Sequence, residues 1–235
     1  MMMKQTLCEG LPLLGLSLND DTQNTLCAFG QAVIEQNKVM NLTAITEPAD
    51  VATLHFLDCA ALLTLADFRN KTVADIGTGA GFPGMPLKIL EPSMNITLLD
   101  SLNKRIDFLK EVCADLGLTG VDCVHGRAEE FAAGHRESFD IVTSRAVANL
   151  QLLSELCLPL VKVGGTFLSM KSVDSEEELN GAKNAIKTLG GRIEKVEDYT
   201  IPGTEVVHRL VFIKKIAETP KKYPRAFAKI KKNPL

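Results

Sequence analysis

Residues 72–84 read TVADIGTGAGFPG, an apolar run that leads directly into a loop with four glycines. The apolar run is typical of a buried strand, and Gly77-Thr78-Gly79-Ala80-Gly81 would bring bare backbone close to a ligand. A helix that begins after Pro83 would present free N–H groups at its first turn. The stretch therefore predicts a strand, a binding loop for a nucleotide-like ligand and a helix.

Further apolar runs alternate with helical stretches after this unit, which is the order of βαβ units in a parallel sheet. Strands are predicted at residues 72–77, 95–100, 121–127, 139–146, 164–171, 192–201 and 208–216, and helices at 84–90, 103–117, 128–132, 149–160 and 175–189. The link between the last two strands, 202–207, is too short for a helical crossover, so these strands pair as an antiparallel hairpin. We predict an α/β fold with a seven-stranded, mainly parallel sheet.

The two ends of the chain differ from this central pattern. Residues 21–39 and 46–66 have helical spacing and are joined by the polar link NLTAIT. We therefore expect an N-terminal helical extension over 1–70, a core over 71–217 and a basic tail over 218–235.

Composition indicates a cytoplasmic protein. The 235 residues are 46% hydrophobic, enough for a full core, and the six cysteines form neither a CxxC motif nor a Cys/His cluster. We expect reduced, mostly buried thiols and no metal site. The N-terminus is a poor secretory signal, and no run approaches the length needed to span a membrane.

Charge is unevenly distributed. The net charge is only −3, but residues 214–235 contain eight basic residues against Glu218, a local charge of +7. The remainder therefore carries −10. A basic, aromatic-containing tail on an acidic protein favours an anionic partner, and the candidate RNA-binding residues are Lys221, Lys222, Tyr223 and Arg225, with Lys104 and Arg105 as a second patch.

The glycine loop fits two kinds of ligand. Gly79-x-Gly81-x-x-Gly84 with Asp100 about 20 residues on satisfies the dinucleotide fingerprint, in which the acid binds a ribose. Asp75 within the strand favours the positively charged S-adenosylmethionine and would repel a pyrophosphate. Pro83 also withholds one N–H group that a pyrophosphate would use. Glu129, after the third strand, either lies at an adenine site or complements a helix dipole.

Seven motifs in order resemble the glucose-inhibited division protein B (GidB or RsmG) family, which methylates a guanine N7 in small-subunit (16S) ribosomal RNA. The motifs are KVMNLTAIT (38–46), HFLDCAALL (55–63), DIGTGAGFPGMPLKI (75–89), TLLDSLNKRIDFL (97–109), GRAEEF (126–131), FDIVTSRAVANL (139–150) and TPKKYPR (219–225). The final RAFAKIKKNPL departs from the family's glycine- and proline-containing end.

The resemblance implies a Rossmann-like class I methyltransferase with S-adenosyl-L-methionine as cofactor. Family contacts carried onto this sequence are Gly77, Phe82, Ala128, Glu129 and Arg145, which add to Gly79, Asp75 and Asp100 from the residues alone. His55 and Asp58 lie three apart on one predicted helix face, near the active-site mouth by resemblance.

The chemistry expected of this family needs no general acid or base, because guanine N7 already presents an unprotonated lone pair. Arg145, His55 and Asp58 are therefore predicted to position the substrate, with Phe82 or Arg145 stacking on the base. We expect a monomer acting on ribosomal RNA or an immature subunit. The alternatives are a methyltransferase of the same fold acting on a small molecule or protein, and a non-catalytic RNA- or dinucleotide-binding protein.

Overall fold

The structure is a computed structural model that describes residues 2–145 and 148–235. Seven strands form one sheet in the order β3-β2-β1-β4-β5-β7-β6. The strands are β1 (Thr72–Ile76), β2 (Asn95–Asp100), β3 (Val121–His125), β4 (Phe139–Arg145), β5 (Val161–Ser172), β6 (Gly191–Thr200) and β7 (Val207–Lys215). Strands β1 to β5 run parallel, and β7 runs antiparallel to both β5 and β6. The predicted sheet and its C-terminal hairpin are confirmed.

Helices cover both faces of the sheet. They are α5 (Gly84–Leu90), α6 (Asn103–Asp115), α7 (Ala128–Phe131), α8 (Leu150–Cys157) and α9 (Glu176–Thr188), and a short α10 (Phe227–Lys232) lies near the C-terminus. The predicted strand at 164–171 begins earlier, at Val161, and passes through Gly164 in the left-handed region at φ 89°. The predicted end of the fourth strand at Ala146 lies outside the described residues.

The N-terminal region contributes helices α1 (Met2–Gly10) and α2 (Asp20–Met40), followed by one continuous helix from Pro48 to Leu65. That helix consists of a first turn α3 (Pro48–Asp50), a π-helical segment (Val51–Leu57) and α4 (Asp58–Leu65). Helix α1 was not predicted, because its apolar residues are few and interrupted. These helices share one hydrophobic cluster with β1 and β2, and the domain boundary at residue 70 stays a prediction.

The helix Pro48–Leu65 is long and apolar enough to cross a membrane by length and composition alone, and 56% of it is buried inside the protein. This corrects the expectation that no run approaches that length. Val51, Phe56 and Leu62 lie in the first hydrophobic cluster, which accounts for the apolar composition. All six cysteines are free; Cys59, Cys113 and Cys157 are buried, and Cys8 is exposed.

Candidate functional site

A cavity of about 510 Å³ opens where β1, β2 and β4 end. Cavities of several hundred Å³ at the carboxyl edge of such sheets are typical small-molecule sites. Of the predicted site residues, the structure brings nine to its lining: Gly77, Gly79, Phe82, Asp100, Arg105, Ala128, Glu129, Arg145 and His55. Residues far apart in sequence thus meet at one edge of the sheet.

The glycine loop takes its shape from backbone angles that side chains disfavour. Gly77, Gly79 and Gly81 all have positive φ, at 71°, 61° and 97°. A Cβ atom at Gly81 would lie 2.6 Å from Met85 Cγ, so this glycine permits close packing of the loop on α5. At Gly79 a Cβ atom would meet nothing nearer than 4.0 Å, so its absence leaves open space beside the cavity. The loop therefore presents bare backbone to the cavity.

Asp75 lies beneath the loop and does not line the cavity. Its buried Oδ2 accepts hydrogen bonds from Thr78 Oγ1 at 2.7 Å and from the Gly84 backbone N–H at 3.0 Å. Burial raises the pKa of this carboxyl to about 6, and the hydrogen bonds from Thr78 and Gly84 oppose the rise. The expectation that Asp75 contacts the cofactor is thus corrected. Its carboxylate instead stabilises the loop by accepting hydrogen bonds from the Thr78 hydroxyl and the Gly84 amide.

Asp100, at the end of β2, lines the cavity while it braces both neighbouring loops. Its Oδ2 accepts from the Gly79 N–H at 2.9 Å and from Arg105 Nη1 at 3.3 Å, and its Oδ1 accepts from the Leu102 N–H at 2.9 Å. Arg105 is therefore part of the cavity wall through its ion pair with Asp100. Lys104 beside it is exposed.

Ala128 and Glu129 lie in the first turn of α7 and line the cavity. The position fits both interpretations of Glu129, since the carboxylate is near the cavity and at a helix start. Glu129 is therefore placed both to contact an adenine and to complement the dipole of α7.

Arg145 also lines the cavity and is the centre of a polar cluster. Its Nη1 donates to Asp58 Oδ2 at 3.2 Å, and its Nη2 lies 3.2 Å from His55 Nδ1. Its guanidinium carbon lies 5.0 Å from the centre of the Phe82 ring, a cation–π contact. His55 and Asp58 thus both face Arg145, but the Asp58 side chain is fully buried and does not line the cavity.

His55 is held as a neutral imidazole. Burial, aided by the charge of Arg145, lowers its pKa to about 4. Its Nδ1 lies 3.2 Å from both Arg145 Nη2 and the Leu54 carbonyl oxygen, and its Nε2 lies 2.9 Å from Thr43 Oγ1. The Phe82 ring packs 4.4 Å from the imidazole, between centroids. His55 therefore orients Arg145 and Phe82.

Sequence reasoning missed two members of this cluster, Tyr199 on β6 and His208 on β7. Tyr199 Oη and His208 Nδ1 each lie 2.8 Å from Asp58 Oδ1. Burial would raise the pKa of Asp58, but the hydrogen bond from His208 and the charge of Arg145 outweigh it and hold that pKa below its usual value. No local signal marks either residue, because only the pairing of β6 and β7 with the sheet brings them to Asp58.

The predicted RNA-binding residues of the tail divide into two groups. Lys221 and Lys222 are exposed, as phosphate contacts require. Tyr223 is buried, and Arg225 forms an ion pair with the buried Glu155, with Nη2 2.6 Å from Oε2. The expectation that Tyr223 and Arg225 contact RNA is therefore corrected, because their side chains are used to hold the tail on the core.

Potential metal ligands do not cluster among residues 2–145 and 148–235: no group of three or more His, Cys, Asp or Glu could hold an ion there.

Solved structures similar to this chain share its fold. TrmN from Thermus thermophilus has a TM-score of 0.56 and 20% identity, covering 80% of this chain and 52% of that one. TYW2 from M. jannaschii in complex with AdoMet has a TM-score of 0.51 and 14% identity, covering 78% and 74%. These similarities support the Rossmann-like methyltransferase fold.

Sequence comparisons are more specific. The chain is 48% identical over 225 residues to ribosomal RNA small subunit methyltransferase G of Clostridium botulinum (strain Loch Maree / Type A3), covering 94% of each chain. It is 45% identical over 235 residues to the protein of the same name from Alkaliphilus metalliredigens, covering 99% of this chain and 98% of that one. The family profile for GidB, described as rRNA small subunit methyltransferase G, matches residues 22–207. The chain belongs to the GidB family, the family of rRNA small subunit methyltransferase G.

Proposed function

We propose that this enzyme transfers a methyl group from S-adenosyl-L-methionine to N7 of one guanine in small-subunit ribosomal RNA. Its family membership makes it an S-adenosylmethionine-dependent rRNA methyltransferase. The proposal of a guanine acceptor rests on one cavity that is lined both by the glycine loop and by the Arg145–Phe82 pair. A cofactor site and a base-gripping site are then adjacent.

The cavity fits the cofactor chemically. Gly77 lines the cavity, bare backbone at Gly79 leaves room for close approach, and the carboxylates of Asp100 and Glu129 can accept hydrogen bonds from hydroxyl and amino groups. Ile76, Leu99 and Ala128 provide apolar surface between them. When bound, the cofactor supplies a methyl group on a positively charged sulfur.

Positioning is the main contribution of the remaining lining residues. Guanine N7 carries a lone pair at neutral pH, so a nucleophile of this kind attacks in line without loss of a proton to the enzyme. His55 has both ring nitrogens engaged, and Asp58 is fully buried beneath Arg145. These two residues therefore serve to fix the Arg145 guanidinium, whose plane can stack on a base that leaves its helix.

The RNA backbone would be bound by exposed lysines around the cavity and on the tail. They are Lys104, Lys221, Lys222, Lys229, Lys231 and Lys232. When lysines neutralise phosphates, counterions are released from the RNA, so RNA binding should weaken steeply as the salt concentration rises. We further propose that the enzyme acts as a cytoplasmic monomer on ribosomal RNA or an immature small subunit.

Calorimetry with S-adenosylhomocysteine tests the cofactor site. Gly77→Arg places a long side chain in the cavity and Asp100→Ala removes its acid, so both should abolish detectable binding. Gly164→Arg is the matched control: Gly164 also has positive φ but lies at a second cavity, at the opposite end of the sheet. Wild-type affinity in both cavity variants would refute the cofactor assignment.

The acceptor is tested by incubating the enzyme with methyl-labelled cofactor and small subunits from cells that lack its gene. Digestion of the RNA should place the label in N7-methylguanosine. Label in another nucleoside, or in ribosomal protein, would refute the proposed acceptor while leaving the cofactor assignment intact.

A further inference from the structure

The C-terminal segment, residues 216–235, returns to the cofactor cavity. Phe227, at the start of α10, lines the cavity together with Arg127, Ala128 and Glu129. The guanidinium carbon of Arg127 lies 5.4 Å from the centre of the Phe227 ring. Glu129 is the residue that the sequence associates with an adenine site. The C-terminal segment thus contributes an aromatic side chain to the cofactor cavity. From the sequence, the cofactor contacts are expected only among residues of the core.

Buried polar contacts attach the first part of the C-terminal segment. Lys215 Nζ, on a fully buried side chain, donates to Thr219 Oγ1 at 2.7 Å and lies 3.0 Å from Glu137 Oε1. Arg136 Nη1 donates to the Tyr223 carbonyl at 2.8 Å. Unpaired, these buried groups would be costly, so the segment has a fixed path across the core.

Arg225 fixes the segment two residues before Phe227. Its backbone N–H and Nε donate to Glu155 Oε1 at 2.9 and 2.8 Å, and its Nη2 donates to Oε2 at 2.6 Å. Glu155 is buried on α8, and the next residue, Leu156, lines the cavity. A buried carboxylate with three donors therefore sets the position of the segment relative to the cavity.

Phe227 packs against the second hydrophobic cluster, but it is not the residue of α10 that is fully buried there. Ile230, one turn later, is fully buried in the second hydrophobic cluster and anchors the helix. Phe227 is only partly buried, and part of its surface faces the cavity. A residue that only filled the core would be expected to bury the whole ring, as Ile230 buries its side chain.

We propose that Phe227, oriented by Arg127, forms a wall against the adenosine half of the cofactor. Aromatic rings stack on purines, and a cation over the ring fixes its orientation. The C-terminal segment would then be part of the cofactor site as well as a carrier of lysines for RNA. This inference rests on the proposed assignment of the cavity to S-adenosylmethionine.

The test compares calorimetric affinities for S-adenosylhomocysteine and methylthioadenosine, which lacks the amino-acid part. Phe227→Ala should weaken both ligands by the same factor, about tenfold, because the lost contact is to the part they share. Phe227→Tyr keeps the ring and should bind both as the wild type does. Thermal unfolding of each variant checks that the fold is retained.

Phe212→Ala is the matched control. Phe212 lines the second cavity and has a cation, Lys195, 5.4 Å from its ring centre, the same distance as in the Arg127–Phe227 pair. Its replacement should leave both affinities unchanged. Wild-type affinity in Phe227→Ala would overturn this inference alone, as would loss of RNA binding with cofactor affinity retained. Failure of the wild type to bind either ligand would instead overturn the cofactor assignment.

Discussion

The glycine loop and the C-terminal segment form two walls of the same cavity but are built in different ways. The loop is held mainly by short-range contacts, from Thr78 and Gly84 to Asp75 within nine residues and from Gly79 to Asp100 over 21 residues. Phe227 is placed by contacts that cross the chain, such as Arg225 with Glu155, 70 residues apart. Local contacts form together with their strand and helix, whereas long-range contacts exist only in the completed fold. Loss of the C-terminal segment should therefore leave the glycine loop intact. Loss of the core contacts should, in contrast, displace Phe227.

The largest expected effect comes from breaking the long-range wall at Arg225. Arg225→Ala leaves the buried Glu155 carboxylate without its charged partner, which should lower the free energy of unfolding by about 3 kcal/mol. Urea denaturation measures the change. Adding Glu155→Gln removes the unpaired charge, so the double variant should be more stable than Arg225→Ala. Equal stability of the two variants would contradict a role for the buried charge.

Breaking the local wall should cost somewhat less. Gly81→Ala forces a side chain onto φ 97° and into contact with Met85 and Leu109, for an expected loss of about 2 kcal/mol. Gly164→Ala is the control, since its φ of 89° is similar but no atom lies within 4 Å of the added Cβ. Denaturation should show a smaller loss in the control. An equal loss would mean that backbone strain, not loop packing, accounts for the effect.

In the Arg145 cluster, long-range contacts can be tested through the rate of the chemical step. His208→Ala removes one of the donors that hold Asp58, 150 residues away, and so loosens Arg145. We expect kcat for RNA methylation to fall about tenfold, roughly 1.4 kcal/mol, with cofactor affinity unchanged. A change in cofactor affinity with kcat retained would contradict a positioning role.

The smallest expected effects are two pH dependences of opposite sign within that cluster. The hydrogen bond to Asp58 raises the pKa of His208 above 6.5, so its contribution to stability is present below 6.5 and is lost as pH rises through the folded pKa. Burial lowers the pKa of His55 to about 4, so stability falls as pH decreases from 6.5 towards 4.

Urea midpoints measured across this pH range should separate the two histidines. His208→Gln should remove the loss on the alkaline side, and His55→Gln the loss on the acid side. A wild-type pH profile in either variant would show that the histidine replaced does not titrate with folding.

Much of the fold could be predicted because its signals are local. Most strands are short apolar runs, and the link from 202 to 207 is too short for anything but an antiparallel return, as β6 and β7 show. Asp75 could not be assigned correctly in this way. A carboxylate before a glycine loop can face the ligand or the loop, and only the positions of Thr78 and Gly84 decide between them.

The tail shows the same limit for charged residues. Its basic composition is visible in sequence, yet composition does not distinguish Lys221, which is exposed, from Arg225, which is paired with Glu155. Tyr223 likewise has the residue type of an RNA contact but is buried. Burial depends on which surface the tail meets, and that surface is formed by Glu155 of α8 together with Arg136 and Glu137.

The sequence by itself determined the glycine loop, the succession of strands and helices along the chain, and the family. Backbone preferences, apolar periodicity and family motifs are all visible within short spans of chain. Only the tertiary structure decided that Tyr199 and His208 support Asp58, and that Phe227 lines the cavity. Those contacts join residues brought together by sheet pairing and by buried ion pairs. Their positions depend on the folded chain as a whole, since no short stretch contains both partners.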